Sequence, residues 1–328
     1  MSPIIIAIVI LALLYAFLNG VNDSSSIVAT MISSRALTPR VALGITAVAE
    51  FLGPFIFGIA VAKTIGHGIV LPDAISSSVI LAAMLAAVLW NLLTGSLGLP
   101  SSSSHALIGG LIGAVSMGAG WHAIQVSGLE KTLIPLFIAP LFGFLIGFIV
   151  LRIIIRLSWE ASPSINESFR RNQIFTVIAL GLSHGSNDAP KAMSVITLAL
   201  ITEKYLNTFI VPTWVILLCA LAIAAGTAVG GERLIRTVGG RFYKIEPIDA
   251  FSTQLASAIV VMTASLIGGP VSASQVISSA IMGVGAAERP NKVRWKIAQD
   301  IGTAWLLTIP ATALVAALIY KLLTRNIQ

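Results

Sequence analysis

Charged residues are scarce in this sequence of 328 residues, since they make up 10% of it, whereas soluble domains carry roughly 25%. Hydrophobic residues make up 56%, and the mean hydropathy is +0.95. So few charges cannot coat a soluble fold with that much apolar surface, which excludes a soluble enzyme and a nucleic-acid-binding protein. The net charge of +7 therefore indicates loop orientation in a membrane protein rather than affinity for DNA.

Cysteine is almost absent as well. The single residue, Cys219, excludes an internal disulfide and a cysteine-rich metal site. It lies in the apolar run 216–225, where we expect an inert, packed thiol. No bound cofactor is expected from this composition.

Long apolar runs fill most of the chain. A membrane-spanning helix needs about 20 mostly apolar residues. Of the ten candidate stretches given below, the first and sixth are too long for one straight span and have polar residues in their middle. The fourth and ninth are short and follow a proline, so they either cross or re-enter the membrane. The sequence predicts an all-α polytopic membrane protein with about 10–12 membrane segments. The ten candidate stretches are 4–32, 41–61, 74–94, 101–119, 132–151, 174–202, 209–229, 250–268, 270–286 and 298–320.

Basic residues lie in alternate loops. Lysine and arginine accumulate on the cytoplasmic side of membrane proteins. If the basic loops lie inside, the N-terminus lies outside and every loop between spans obeys this rule. The C-terminal tail then violates the rule mildly. We therefore expect a multi-pass protein of the cell inner membrane. The basic loops are 35–40, 152–171, 233–244 and 289–296.

Two short motifs recur in the same order. The first, Gly20–Asp23, returns as Gly185–Asp188, and the second, Gly98–Ser104, returns as Gly268–Ser274. We call the number of residues that separates the two copies of the first motif the first-motif offset, and the corresponding number for the second motif the second-motif offset. Both are close to half the length of the chain, and five spans in each half place the copies in opposite orientations. The sequence predicts two inverted repeats, residues 1–160 and 161–328, whose site lies on broken helices near the middle of the membrane.

Acidic and amide residues interrupt these apolar stretches. A charge at membrane depth costs at least ~2.5–3.5 kcal/mol, so it usually faces a partner, an ion or water. Carboxylate and amide oxygens are hard ligands that suit Na⁺. The alternative is that each Asp only caps a helix break. The predicted cation-site residues are Asp23, Asn22, Glu50, Asp188, Asn187 and Gln254, with Ser24, Thr253 and Lys191 as further candidates.

Two of these candidates, and the two histidines of the motifs, have simpler alternatives. Glu50 lies next to Gly53-Pro54, where we expect a local break, and its expected counterpart in the second half is Gln254; a lone interhelical hydrogen bond is the alternative. Lys191, three residues after Asp188, fits a salt bridge as well as an anion contact. For His105 and His184 a packing role is favoured over titration.

Serine clusters follow the two prolines of the second motif. Proline suits the first helical position and serine suits helix caps, so both clusters predict helix N-termini. A helix N-terminus carries roughly +0.5 charge and attracts anions, so two of them brought together would hold an oxyanion. Ordinary capping is the alternative. The predicted anion-site residues are Ser102, Ser103, Ser104, Ser272 and Ser274, with Asn22 and Asn187.

One pattern is typical of an enzyme. Residues 181–185 match the G-x-S-x-G motif of serine hydrolases, whose serine sits on a strand–turn–helix corner. A membrane span does not supply that setting, and Leu18 stands at the corresponding place of the first repeat. An intramembrane serine hydrolase is therefore only a remote alternative to a transporter.

These motifs resemble the inorganic phosphate transporter (PiT) family. Gly20–Asp23 and Gly185–Asp188 match its G-x-N-D cores, 98–102 and 268–272 match its G-x-P-x-S segments, and residues 184–193 look like the prokaryotic branch. Ser24-Ser25-Ser26 departs from the Ala-rich continuation usual in the family. Gln254 stands where many members have a second Glu, which puts the coupling ion in doubt.

The resemblance implies that the oxyanion is phosphate, imported by symport with Na⁺ or H⁺; the family also includes sulfate carriers. Moving HPO₄²⁻ into a cell at −100 mV costs about 4.6 kcal/mol, and two monovalent cations would make the step neutral. We expect Na⁺ rather than H⁺, because Asn22 and Asn187 offer oxygen ligands that a proton would not need. The expected partners are phosphate, Na⁺ and the lipid bilayer, with a homodimer left open.

Overall fold

The structure is a computed structural model that describes residues 2–71, 74–98, 101–162, 164–230 and 244–325. Within these ranges the chain forms eleven α-helices and two short 3₁₀ turns, at 121–123 and 290–292. The helices are α1 (Pro3–Ser33), α2 (Pro39–Phe57), α3 (Ala60–Gly68), α4 (Ser77–Leu97), α5 (Ser103–Gly118), α6 (Val126–Leu157), α7 (Ile165–Thr202), α8 (Thr213–Val229), α9 (Pro247–Leu266), α10 (Ala273–Glu288) and α11 (Trp295–Arg325).

Each of the ten predicted stretches corresponds to one of these helices, which confirms the all-α class. The additional helix is α3, which the stretch 41–61 did not separate from α2. The predicted break at Gly53-Pro54 is wrong, because α2 continues through Pro54 to Phe57. A proline in a helix removes only one backbone hydrogen bond, whereas the left-handed Gly58, with φ +82°, turns the chain out of the helix.

The long helices α1 and α7 are continuous. The predicted breaks at Asn22-Asp23 and Asn187-Asp188 are therefore wrong. The physical reason is that these side chains reach partners on neighbouring helices, so the backbone does not have to open to satisfy them. The interruptions lie instead before α5 and α10, where Gly98 and Gly268 have φ of +67° and +75°.

Six helices are long and apolar enough to cross a membrane: α1, α2, α4, α6, α9 and α11. Large apolar side chains cover their outward faces; Leu141, for example, is 69% exposed and Leu314 63%. Such a surface belongs in lipid, and the chain is a multi-pass membrane protein. Of the other described helices, α8 is apolar but has only 17 residues, and α7 is the longest at 38.

Glycines let the two halves interlock. A Cβ built on Gly20 of α1 would lie 2.2 Å from the carbonyl oxygen of Ile223 on α8. A Cβ on Gly185 of α7 would lie 2.0 Å from the carbonyl oxygen of Glu50 on α2. Gly20 and Gly185 begin the two copies of the first motif, so the same backbone contact occurs twice. The first helix of each half thus packs on the second helix of the other.

A second pair of contacts recurs at the other offset. A Cβ on Gly113 of α5 would lie 1.9 Å from the carbonyl oxygen of Ala313 on α11, and one on Gly283 of α10 would lie 2.0 Å from that of Phe144 on α6. Gly113 and Gly283 are related by the second-motif offset. A close glycine contact therefore recurs at the second-motif offset as well.

Candidate functional site

The polar residues of α1 and α7 meet at the centre of the helix packing. We call the group formed by Asp23, Glu50, His184, Asp188 and Lys191 the carboxylate cluster. All five side chains are buried. One oxygen of Asp23, one nitrogen of His184 and one oxygen of Asp188 lie within 4.8 Å of one another. Two carboxylates this close to each other, with that of Glu50 in the same cluster, are stabilised as anions by positive charge nearby.

His184 lies between all three carboxylates. Its Nδ1 is 2.8 Å from Oε1 of Glu50, and its Nε2 is 3.2 Å from Asp188 and 3.5 Å from Asp23. Nε2 is not aligned for a hydrogen bond with either Asp. The predicted packing role thus misses what this ring contacts. Its spacing of four residues before Asp188, on the same helix face, was the available indication.

Lys191 is fully buried and forms an ion pair with Asp188. Its Nζ lies 2.5 Å from Oδ1 of Asp188, and it also donates to Oγ of Ser104 at 2.5 Å and to the carbonyl oxygen of Val271 at 2.7 Å. The salt bridge expected as one alternative for Lys191 is therefore present, and the ammonium also reaches a predicted anion-site serine.

Asn19 completes the surroundings of Asp188 and was not among the predicted site residues. Its Nδ2 donates to Oδ2 of Asp188 at 2.7 Å, and its Oδ1 accepts from Oγ of Ser103 at 2.6 Å. The first-motif offset, which relates Asp23 to Asp188, also relates Asn19 to His184. Extending the repeat by one helical turn would have found it.

Glu50 makes more than a lone hydrogen bond. One carboxylate oxygen faces His184, and the other accepts from Oγ1 of Thr227 at 2.5 Å. The backbone carbonyl of Glu50 faces Gly185 as that of Ile223 faces Gly20. The counterpart of Glu50 in the second half is therefore Ile223.

The expectation that Gln254 matches Glu50 is wrong. The Gln254 side chain accepts from Thr176 at 2.6 Å and donates to Thr30 at 3.0 Å. Thr176 lies twelve residues before Asp188, roughly 18 Å along α7. The mistake arose because the helix that corresponds to α2 in the second half is α8. Gln254 lies on the next helix, α9. The neighbouring Thr253 has a buried hydroxyl without a hydrogen-bond partner among the described residues.

The two serine clusters meet at the N-termini of α5 and α10. Ser104 donates to the carbonyl of Val271 at 3.1 Å, and Ser274 donates to the carbonyl of Ser101 at 3.5 Å. Ser102 caps α5 by accepting from the amide of His105 at 3.2 Å, and Ser272 lies 3.2 Å from Ser274, Oγ to Oγ. These two helix ends adjoin the carboxylate cluster, because Ser104 accepts from Lys191 and Ser103 donates to Asn19, which bonds to Asp188.

Asn187 supports the segment that precedes α10, whereas Asn22 bonds to α4. Asn187 donates to Ser265 at 3.1 Å and to the Gly269 carbonyl at 3.2 Å, and it accepts from the Val271 amide at 3.1 Å. Asn22 donates to the Asn91 carbonyl at 3.3 Å. The remaining candidates bond locally or pack: Ser24 donates to the Val21 carbonyl at 3.0 Å, and the His105 ring lies edge-on to Phe137 and 3.2 Å from Gln275.

The G-x-S-x-G pattern does not form a hydrolase site. Ser183 lies inside α7, and its hydroxyl donates to the carbonyl of Ala179 at 2.7 Å. A nucleophilic serine needs an exposed corner between a strand and a helix. The remote hydrolase alternative therefore has no structural basis.

Paired helix ends with hydroxyl donors beside a buried group of carboxylates, inside a bundle of membrane helices, define a membrane transporter of ions rather than an enzyme. The chain matches the phosphate transporter family over residues 19–316. It belongs to that family, as the resemblance of its motifs predicted.

Curated relatives extend over nearly the whole chain. It is 42% identical over 322 residues to a "Probable low-affinity inorganic phosphate transporter" of Bacillus subtilis (strain 168), with 97% of this chain and 96% of that protein covered. A protein of the same description from Rhizobium meliloti (strain 1021) is 39% identical over 320 residues, with the same coverage. A solved structure, "The sodium-dependent phosphate transporter", shares the fold with a TM-score of 0.90 at 24% identity, covering 99% of this chain and 100% of that one.

Proposed function

We propose that this protein imports inorganic phosphate by symport with a monovalent cation, with Na⁺ as the first candidate. The observation that carries the proposal is the contact between the two serine-capped helix N-termini and the carboxylate cluster. An anion and a cation bound at these adjoining sites would neutralise each other, which is the basis of coupled transport.

The anion side is assigned to the ends of α5 and α10. Helix N-termini offer backbone N–H groups, and Ser102, Ser103, Ser104, Ser272 and Ser274 add hydroxyls, all of them buried. In this proposal Asn187 holds the segment before α10, and Asn22 bonds to α4, the helix that precedes α5. Lys191 adds a positive charge in contact with Ser104.

The cation side is assigned to Asp23 together with Asp188 and Glu50. Oxygen ligands of this kind suit Na⁺. The solved structure of the same fold is described as sodium-dependent, which agrees with the assignment. Ser24, Thr253 and Gln254 are not part of this proposed set, because their bonds or positions lead away from the cluster.

A second candidate is H⁺ coupling, and His184 favours it. Its ring contacts three carboxylates at 2.8–3.5 Å and can carry a proton among them. Sulfate in place of phosphate is the corresponding alternative on the anion side.

We also propose that residues 1–160 and 161–328 form two inverted repeats with the N-terminus outside. The glycine contacts that recur at the first-motif and second-motif offsets support the repeat. The loop charges support the orientation.

The test is uptake of labelled phosphate into proteoliposomes under Na⁺ and pH gradients that are imposed separately, with sulfate as competitor. We expect accumulation driven by the Na⁺ gradient. Ser104→Ala should weaken phosphate binding by about 1–3 kcal/mol. Ser116→Ala is the matched control, since Ser116 lies on the same helix and bonds only to the Gly113 carbonyl of its own turn. Uptake that follows the pH gradient alone would replace Na⁺ by H⁺, and no phosphate uptake under either gradient would refute the proposal.

A further inference from the structure

The three oxygen partners of Lys191 have counterparts in the first half of the chain. The partners are the Asp188 carboxylate, the Ser104 hydroxyl and the Val271 carbonyl. Moving by the offsets of the repeat leads from Asp188 to Asp23, from Ser104 to Ser274, and from Val271 to Ser101. The chain thus contains two related sets of one carboxylate, one hydroxyl and one backbone carbonyl.

Two contacts around one set recur around the other. Ser104 donates to the Val271 carbonyl at 3.1 Å, and Ser274 donates to the Ser101 carbonyl at 3.5 Å, so one contact occurs in both sets. A second pair of contacts agrees with it. Asn19 lies 2.7 Å from Asp188, and its counterpart His184 lies 3.5 Å from Asp23.

The two sets differ at one position. The first-motif offset relates Lys191 to Ser26, which lies at the corresponding turn of α1 and is buried. A serine side chain carries no charge, and it is too short to reach the three oxygens as the lysine does. The set that contains Asp188 therefore holds a positive charge that is part of the chain, and the set that contains Asp23 does not.

We propose that the Lys191 ammonium is a built-in cation that fills one of two related cation positions, so that the mobile coupling cation binds only at the other, formed by Asp23, Ser274 and the Ser101 carbonyl. The inference rests on the proposed function and specifies its cation site. Carboxylate, hydroxyl and carbonyl oxygens, which surround the ammonium at 2.5–2.7 Å, are the ligands that hard cations prefer.

The charge of the cluster agrees with this reading. Asp23, Glu50 and Asp188 supply three carboxylates, and Lys191 neutralises one of them permanently. A position filled by a tethered cation still attracts the anion but cannot move a charge across the membrane. The protein should therefore transport one cation fewer per phosphate than a version in which both positions are filled by mobile ions.

The test is the number of charges moved per phosphate, measured from the reversal potential of phosphate flux in proteoliposomes. This number depends only on the species transported, whether the cation is Na⁺ or H⁺. Lys191→Ser copies the residue of the first half and should move one more positive charge per phosphate than the parent protein. Lys191→Met keeps the length of the side chain without space or oxygen for an ion, so it should move the same number as the parent. Equal numbers in all three proteins, or an extra charge in Lys191→Met, would overturn the proposal.

A second pair of variants decides the matter if Lys191→Ser does not fold. Ser274→Ala removes a ligand of the mobile cation, whereas Ser104→Ala removes a partner of the lysine. Both serines also belong to the proposed anion site, so the cation is measured here without phosphate. Ser274→Ala should raise the cation dissociation constant of the purified protein, measured without phosphate, by about fivefold or more, the effect of losing one polar contact, whereas Ser104→Ala should change it much less. The opposite order, or equal effects, would count against a built-in cation. If the parent takes up no phosphate at all, the proposed function fails too; uptake with equal charge numbers removes the built-in cation alone.

Discussion

Replacement of Asp188 by Asn should strongly destabilise the protein. Asp188 accepts from Lys191 at 2.5 Å and from Asn19 at 2.7 Å in a fully buried environment. Asparagine preserves the shape and can still accept one hydrogen bond, but it leaves the ammonium without its counter-charge. Breaking a buried ion pair by removing one partner costs about 3–5 kcal/mol, because the remaining charge stays buried. We expect the free energy of unfolding to fall by this amount.

A second substitution tests whether the stranded ammonium is the cause. Lys191→Met removes the charge while retaining most of the length of the side chain. The double variant Asp188→Asn, Lys191→Met should be more stable than Asp188→Asn alone, since it buries no unpaired charge at this pair. The difference between the double variant and the sum of the single ones measures the coupling of the two side chains.

The assay is reversible unfolding of the purified protein in mixed micelles by increasing sodium dodecyl sulfate, followed by circular dichroism. Glu167→Gln is the matched control on the same helix, because it breaks an exposed pair with Arg170 at 3.3 Å that is worth about 0–1 kcal/mol. Losses that simply add in the double variant, or a loss for Asp188→Asn no larger than that of the control, would refute the reasoning.

The packing and the site lead to three further predictions. Gly185→Ala should prevent correct folding, because its Cβ would lie 2.0 Å from a carbonyl oxygen, whereas Gly44→Ala, with nothing within 4 Å, should express as the parent does; equal yields of monodisperse protein would contradict this. His184→Gln should flatten the dependence of phosphate uptake on pH, as measured at constant Na⁺, and an unchanged profile would exclude the ring as the titrating group. Cysteines placed at Ser162 and Trp121, in a protein without its native cysteine, should label from opposite faces of the membrane, and labelling from one face would disprove the proposed orientation.

The helices were predictable from the sequence because length and apolarity alone specify them in lipid. All ten predicted stretches became helices, and among the helices of the described ranges only α3, with nine residues, was too short for that reasoning. The breaks were not predictable in the same way. A polar pair such as Asn22-Asp23 predicts a helix break only if the side chains have no partners, and those partners lie on helices far along the chain.

The site was predicted where the repeat itself pointed to it. The two Asp residues recur at the first-motif offset, and Ser102 and Ser104 recur as Ser272 and Ser274 at the second-motif offset, which is why these residues were selected as candidates. His184 and Asn19 were missed or undervalued because the repeat places different residue types at this position. Gln254 was misplaced because sequence alone does not show that α8, rather than α9, mirrors α2.

Helices of the first half pack on helices of the second half, so the early helices are made and inserted well before their partners. Asp23 of α1 finds His184 only after helices α2 to α6 and half of α7 have been made, and at about 5–20 residues per second this takes roughly 10–30 s. During that interval a newly inserted α1 exposes an acidic group that lipid does not tolerate. The first helix must therefore stay beside water or the insertion machinery until α7 and α8 emerge, so the order of translation, as much as the final packing, governs how much transporter a cell obtains.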